Sequence, residues 1–189
     1  MMIRLSPTIA AFMVMLLSGA DPAWAQAVLA DRSEIRFVAK QLGVNVEGRF
    51  RRFKANVVFR PDALPSSRAD IEVDLGSIDL ASDDSENEVK GPLWFDTSKF
   101  PVARFNSSSI RDLGGGRYEI AGRLSIKGIT RDLTVPVVLT RDAAGNRVAD
   151  GSFPVKRLEY KIGEGAWSDT DTVADTIVVR IRMVLPPQA

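Results

Sequence analysis

GRLSIKGITRDLTVPV (residues 122–137) decides how this chain folds. Apolar and polar side chains alternate through Leu124 and Ile126, break at Gly128, and alternate again through Leu133, Val135 and Val137. A period of two puts one set of side chains on one face of a pleated strand, so the stretch is a pair of strands around a turn. Just upstream, WFDTSKFPVARF (94–105) joins an aromatic cluster to a Phe-Pro step and then to another extended strand.

The same period runs outward in both directions. Ile35, Phe37 and Ala39 share a face that Glu34, Arg36 and Lys40 avoid. In LGVNVEGRFRRF (42–53) the chain bends at Gly43, then Val44, Val46 and Gly48 alternate toward Phe50. Ala55, Val57 and Phe59 continue until the turn chemistry of Pro61 and Asp62. Ala69, Ile71, Val73 and Leu75 alternate with Asp70, Glu72 and Asp74. Strands over 102–111 and 118–127 flank Gly114, Gly115 and Gly116 as a hairpin, and strands over 133–139, 148–155 and 173–185 follow. About eight such segments with short turns predict an all-β, antiparallel eight-stranded barrel, with a sandwich as the other closure. Residues 83–99 interrupt the alternation. Asp84 suits an N-cap, Glu86 and Glu88 suit a helix N-terminus, and Pro92 limits the length. The prediction is a short helix and an aromatic loop over one end of the barrel.

The first residues have the physics of a secretory signal. Arg4 precedes an apolar run over 9–17, Gly19 and Pro22 break it, and Ala23, Ala25 and Ala27 offer small-x-small cleavage sites. The expected division is a signal peptide over 1–25, cleaved after Ala25 or alternatively after Ala27, and one domain over 26–189. The apolar run is short of the ~20 residues a membrane anchor needs. Arg4 and Asp21 cancel, so the formal charge stays at +1 after cleavage. That balance gives no general attraction to nucleic acid or to anionic lipid, and stable membrane insertion is not expected. The chain has no cysteine and no histidine. Thiol chemistry, thiolate metal sites and the usual neutral-pH general base are thereby excluded.

An eight-stranded barrel is just wide enough to be filled by side chains or to hold one small guest. The predicted inward set mixes Ala39, Gly48, Ala55, Ala69 and Gly122 with Phe37, Phe50, Phe59 and Phe105. Small residues leave room beside aromatic walls, but the same mixture also fills the taper of a solid barrel, and the pattern leaves both open. A slender apolar guest would gain about 0.8 kcal/mol per buried CH₂-sized group without any polar contact.

Taken together, residues 42–53, 94–105 and 122–137 resemble the YceI-like family, and the resemblance runs from about residue 27 to residue 185. Its members are small exported lipocalin-like β-barrels that hold long isoprenoid lipids in an apolar tunnel. The resemblance implies a periplasmic protein that binds, stores or transports a polyisoprenoid or isoprenoid quinone non-covalently, with no other cofactor, no metal and no catalytic residue. It favours a cavity over a packed core. It places the ligand against Phe37, Ala39, Leu42, Val44, Phe50, Phe59 and Phe105, with Trp94, Phe95 and Trp167 at the aromatic end. The chain departs from the family at three places. Gln41 stands where members often carry a histidine, and Ser85, Glu86, Asn87, Glu88 and Val89 occupy the register of Arg-Asp-x-His-Leu. Two histidines and an arginine are therefore missing, which leaves head-group recognition open.

Other features carry two readings each. Trp94 and Phe95, with Phe100 and Pro101, form either a ligand gate or a loop anchor. Residues 163–169 are a mobile loop before the last strand or a contact site. Asp169, Asp171 and Asp175 match no calcium loop and read as solvated carboxylates. Arg49, Arg51, Arg52 and Lys54 read as a solvated face, with anionic head-group contact as the alternative. Two other function classes stand beside a lipid carrier. A lipid-free structural barrel would expose Ile177, Val179, Ile181 and Met183 as an interface, giving a homodimer. A hydrolase would rely on carboxylate pairs such as Glu86 with Glu88 or Asp83 with Asp84. The export reading predicts that N-terminal sequencing of the periplasmic protein begins at Gln26 or Val28. Cytoplasmic protein retaining Met1 defeats it.

Overall fold

A computed structural model of the chain describes residues 26–187; the expected signal peptide lies outside them. The elements in order are β1 (Gln26–Ala27), β2 (Glu34–Gln41), β3 (Val44–Phe50), β4 (Phe53–Val58), β5 (Arg68–Asp74), β6 (Ile78–Asp79) and α1 (Asp83–Lys90). Then come β7 (Val102–Gly114), β8 (Arg117–Ile126), β9 (Ile129–Arg141), β10 (Arg147–Lys156) and β11 (Thr176–Leu185). The β2–β3 turn is Leu42 and Gly43, with φ of 50° and 79°, and the β8–β9 turn is Lys127 and Gly128, with φ of 49° and 75°. Two successive left-handed residues match the right-handed twist of the flanking strands, so such turns close tight hairpins.

All pairing is antiparallel, and the sheet runs β1-β4-β5-β7-β8-β9-β10-β11-β2-β3-β6. Its two apparent ends meet. β3 runs on into β4 through Arg51 and Arg52, while β5 runs on into β6, and both halves pair: Phe53 with Val73, and Phe50 with Ile78. Bonds from Arg51 N to Ser77 O (3.0 Å) and from Asp74 N to Arg52 O (3.1 Å) stitch the kink between them. Counted as interrupted strands, these halves complete an eight-stranded closed ladder, in agreement with the sequence pattern. β1 adds a short pairing on the free side of β4, Gln26 opposite Val57.

The end of the barrel opposite α1 is packed. Ile35, Ala55 and Met183 are buried there against Val28 and Phe53. Ser33 Oγ donates to Leu29 O and accepts from Val184 N, tying both ends of the described chain together. Higher in the barrel, Phe105, Val135, Val137 and Phe153 form a second buried group.

Three expectations are corrected. Ser82, not Asp84, caps α1: its side chain accepts from Ser85 N, and Asp83, Asp84 and Glu86 occupy the first turn. Phe59 does not face the lumen. β4 ends at Val58, whose burial shifts the alternation, and Phe59 packs edge-on against Tyr118 (5.3 Å) beneath the Arg147 guanidinium (5.7 Å). The last strand begins at Thr176 rather than Val173, which makes only a single bridge to Gln41.

The glycines also work differently from the simple idea that small residues leave room. Phe37 lies directly opposite Gly48, and a Cβ on Gly48 would come within 2.3 Å of its ring. A Cβ on Gly122 would meet Asn106 O at 2.5 Å and the Phe105 ring at 2.7 Å. The rings fill the glycine gaps and so lie against the wall. We expect Gly48→Ala and Gly122→Ala each to lose ~1–3 kcal/mol by overpacking. Urea titration measures this, and an unchanged midpoint for Gly48→Ala would show that Phe37 has room to turn away.

Candidate functional site

The inward faces of the strands enclose a cavity of about 570 Å³. That is within the ~300–1,000 Å³ typical of small-molecule sites. Period-two alternation delivers its wall: Ile71 from β5, Ile120 and Leu124 from β8, Val135 from β9, Phe153 from β10 and Ile181 from β11. Ile35 alone of the packed cluster at the far end reaches it and forms the floor. The exposed lining residues Gln41, Asp84, Ser85 and Glu88 all belong to the α1 end, which is therefore the mouth. Arg104 is exposed too, but its guanidinium turns outward to Glu72 at 2.9 Å.

The mouth carries a cap of three segments. The first is α1 with residues 91–100, where Phe95 N bonds Val89 O (3.0 Å) and Asp96 turns the chain at φ 47°. The second is residues 157–175, and the third is the β8–β9 turn. Leu93 O accepts from both Gly163 N and Glu164 N at 2.8 Å, joining the first two. Lys127 Nζ, in the third, donates to Pro92 O (2.9 Å) and Lys161 O (2.7 Å) and pairs with Glu164 (3.1 Å).

Arg157 holds the second segment. It is 1% exposed, and its guanidinium donates to five backbone carbonyls: Ala174, Ile162, Gly163, Trp167 and Val173, at 2.7–3.2 Å. The planar five-donor fork of arginine is what allows one side chain to satisfy so many acceptors. Burial pushes its pKa down and nearby Asp175 pulls it up, and the group stays cationic. The guanidinium also sits 5.7 Å from the centre of the Trp94 ring.

The aromatic groups form two sets. Phe37, Phe50 and Phe95 make a train along one wall, with ring centres 5.6 and 6.2 Å apart. Trp94 and Trp167 lie 5.5 Å apart at the mouth. Trp167 Nε1 donates to Glu88 on α1 at 2.7 Å, whereas Trp94 Nε1 is buried and has no partner.

Among the residues expected to meet a ligand, Phe37, Ala39, Phe50 and Phe105 stand on the strand wall, and Trp94, Phe95 and Trp167 line the capped end. Leu42 and Val44 do not line the cavity, at 73% and 67% exposed. Val44 has the correct phase, opposite Gln41, but sits beyond the rim, and Leu42 is in the turn itself. Phe59 is at the other end. Phe100 lies outside the cavity, where a Cβ on Gly128 would be 3.1 Å from its ring, so the aromatic loop supplies both wall and anchor. Residues 163–169 are tied down by Arg157 rather than free.

Several of the charged features are committed to bonds within the protein. Arg49 and Arg51 both bond Asp79 at 2.6 Å, and these bonds hold the Asp79 carboxyl below its usual range. Glu86 accepts from Leu80 N and from Lys90, which lowers its pKa likewise, and Glu88 accepts from Trp167. Asp169 accepts from Asp171 N and Thr172, and Asp175 from Leu158 N. Ile177, Val179 and Ile181 line the cavity and Met183 the packed end, so the apolar face of β11 is barrel wall. Among the described residues, no helix is long and apolar enough to cross a membrane.

Neither Arg157 nor Lys127 is given a role by the sequence pattern. Their partners are mainly backbone carbonyls, which every residue type carries and which leave no mark in a residue pattern. Arg157→Met leaves those carbonyls unpaired in a buried site, and we expect a loss of about 3 kcal/mol or more. Amide exchange should accelerate over 161–175 well before the strands. Uniform acceleration would show that the cap has no separate anchorage.

Comparison with known proteins agrees with this geometry. The model of the YceI-like domain family matches residues 27–185. A UPF0312 protein of Shewanella denitrificans is 29% identical over 104 residues, and one of Vibrio cholerae is 27% identical over 114. These matches span only 54% and 58% of the relatives' lengths. The crystal structure of Burkholderia cenocepacia BcnA superposes with a TM-score of 0.80 at 36% identity, covering 83% of this chain and 98% of that one. A polyisoprenoid binding domain from Saccharophagus degradans, implicated in plant cell wall breakdown, gives 0.70 at 16% identity, covering 87% and 99%. At that identity the likeness is one of fold.

Proposed function

The chain belongs to the YceI-like domain family, and from that premise we propose that it is a binding protein for a polyisoprenoid or an isoprenoid quinone, held non-covalently in the barrel. The observation that carries this reading is the cavity: about 570 Å³, walled by aliphatic and aromatic side chains, floored at one end and capped at the other. A slender hydrocarbon chain fits such a wall. Its affinity comes from buried apolar area, at roughly 25 cal/mol per Å² removed from water, less the cost of ordering the chain. The fold shared with a polyisoprenoid binding domain supports the same ligand class.

Carriage, storage or sequestration is the role of such a site, not turnover. At the mouth Glu88 is engaged by Trp167, and the strand wall is aliphatic and aromatic apart from Arg104, which turns outward to Glu72. The Arg4-led apolar segment supports export of a domain beginning at residue 26 or 28 and action in the periplasm. Exchange then takes place by encounter at the α1 end, where the polar lining residues sit.

Mass spectrometry of an organic extract of freshly purified protein should yield an isoprenoid lipid in stoichiometric amount. Two alanines make the paired test. Ala39 lines the cavity, so Ala39→Phe should abolish lipid capture at little cost in stability. Ala55 is 5% exposed in the packed end, so Ala55→Phe should lose ~1–3 kcal/mol instead. An empty extract, with Ala39→Phe as destabilised as Ala55→Phe, would mean a filled barrel without a lipid.

A further inference from the structure

The two tryptophans at the mouth have unequal donors. Trp167 Nε1 is committed to Glu88 at 2.7 Å, while Trp94 Nε1 is buried with no acceptor on a side chain that lines the cavity. A buried N–H without a partner costs free energy until an acceptor reaches it, so such orphans require a reason. The surrounding groups define what that acceptor is. Among the described residues, the cations lining the cavity are Arg104 and Arg157. Arg104 is paired with Glu72 outside, and Arg157 spends its N–H groups on five carbonyls. Lys127 is likewise engaged by Pro92 O, Lys161 O and Glu164. The exposed lining groups at the mouth include two carboxylates, Asp84 and Glu88. An anionic head would meet like charge there and find no open cation, whereas a neutral oxygen that reaches Trp94 Nε1 as the ring turns toward the lumen finds an unpaired donor.

We propose that Trp94 Nε1 donates to an uncharged oxygen on the head of the bound lipid, making Trp94 the residue that selects a carbonyl- or hydroxyl-bearing isoprenoid over its phosphate ester. This rests on the isoprenoid reading of the cavity. The lipid then lies with its head beneath the cap and its tail toward Ile35 at the floor. Quinones and polyprenols share this chemistry, and their phosphate esters and bare hydrocarbons do not.

The test is calorimetric titration of the full chain, in one detergent, with four probes on the same tail: geranylgeraniol, the matching benzoquinone, geranylgeranyl phosphate and the oxygen-free hydrocarbon. The alcohol, the quinone or both should bind about tenfold more tightly than the hydrocarbon and the phosphate, the scale of one buried hydrogen bond. Which of the two does so identifies the source of the oxygen. Trp94→Phe should erase that preference and leave the hydrocarbon unchanged. In ¹⁵N-labelled wild type, the Trp94 indole N–H resonance should move downfield with the preferred probe and not with the hydrocarbon. That measurement carries the test even if the variant fails to fold. Tighter binding of the phosphate, equal weakening of every probe by Trp94→Phe, or an unmoved resonance overturns the head-group assignment while leaving the lipid site in place. Failure of all four probes to bind overturns both.

Discussion

Closure of the ladder where β3 runs into β4 fixes the diameter of the barrel, and the diameter fixes what the lumen can be. Eight strands make a bore that side chains can fill or leave open by small adjustments. This chain settles the matter with rings laid against glycines. Phe37 covers Gly48 and Phe105 covers Gly122 so closely that no Cβ fits beneath either ring. An aromatic folded onto the wall adds apolar surface without occupying the axis. The far end is filled in the ordinary way by Ile35, Ala55 and Met183, and the result is a tube with a floor.

Most of this architecture was legible in the sequence because period-two alternation is a local consequence of the pleat. The strands, the interrupting helix and the inward identity of Phe37, Ala39, Phe50 and Phe105 follow from it. The pattern fails where geometry is not local. Val44 continues the right phase past the rim, where no neighbour covers it, and alternation carries no mark of where a barrel ends. Phe59 was misplaced because the phase shifts at Val58, one residue earlier. The capping serine was missed because Asp84 is an equally good residue type two places later; only the bond from Ser85 N to Ser82 decides between them. Nothing in composition distinguishes a glycine that leaves a hole from one that seats a ring.

The cap depends on a different kind of interaction. A guanidinium taken out of water without a contacting carboxylate is costly, and here carbonyl dipoles replace the lost hydration. Because all five acceptors belong to residues 162–174, forming the Arg157 network and ordering that segment are one event. Lysine would supply the charge but not the fork. The cost is recovered as shape: the segment that Arg157 holds is the one that brings Trp167 to the mouth beside Trp94.

The ladder between β2 and β11 joins residues 34–38 to residues 178–182, and Ser33 reaches Val184 across nearly the whole described chain. Hairpins such as β7–β8 and β8–β9 form from neighbouring sequence, but the seam between first and last long strands waits for a loop closure spanning the domain. Such topologies fold slowly, because chain entropy is surrendered before the distant contacts compensate for it. Until β11 has been synthesised, β2 and β10 each present an unpaired edge and the interior stands open along its length. The polypeptide therefore becomes a container only when its final strand arrives, and any earlier stage is a curved, sticky sheet.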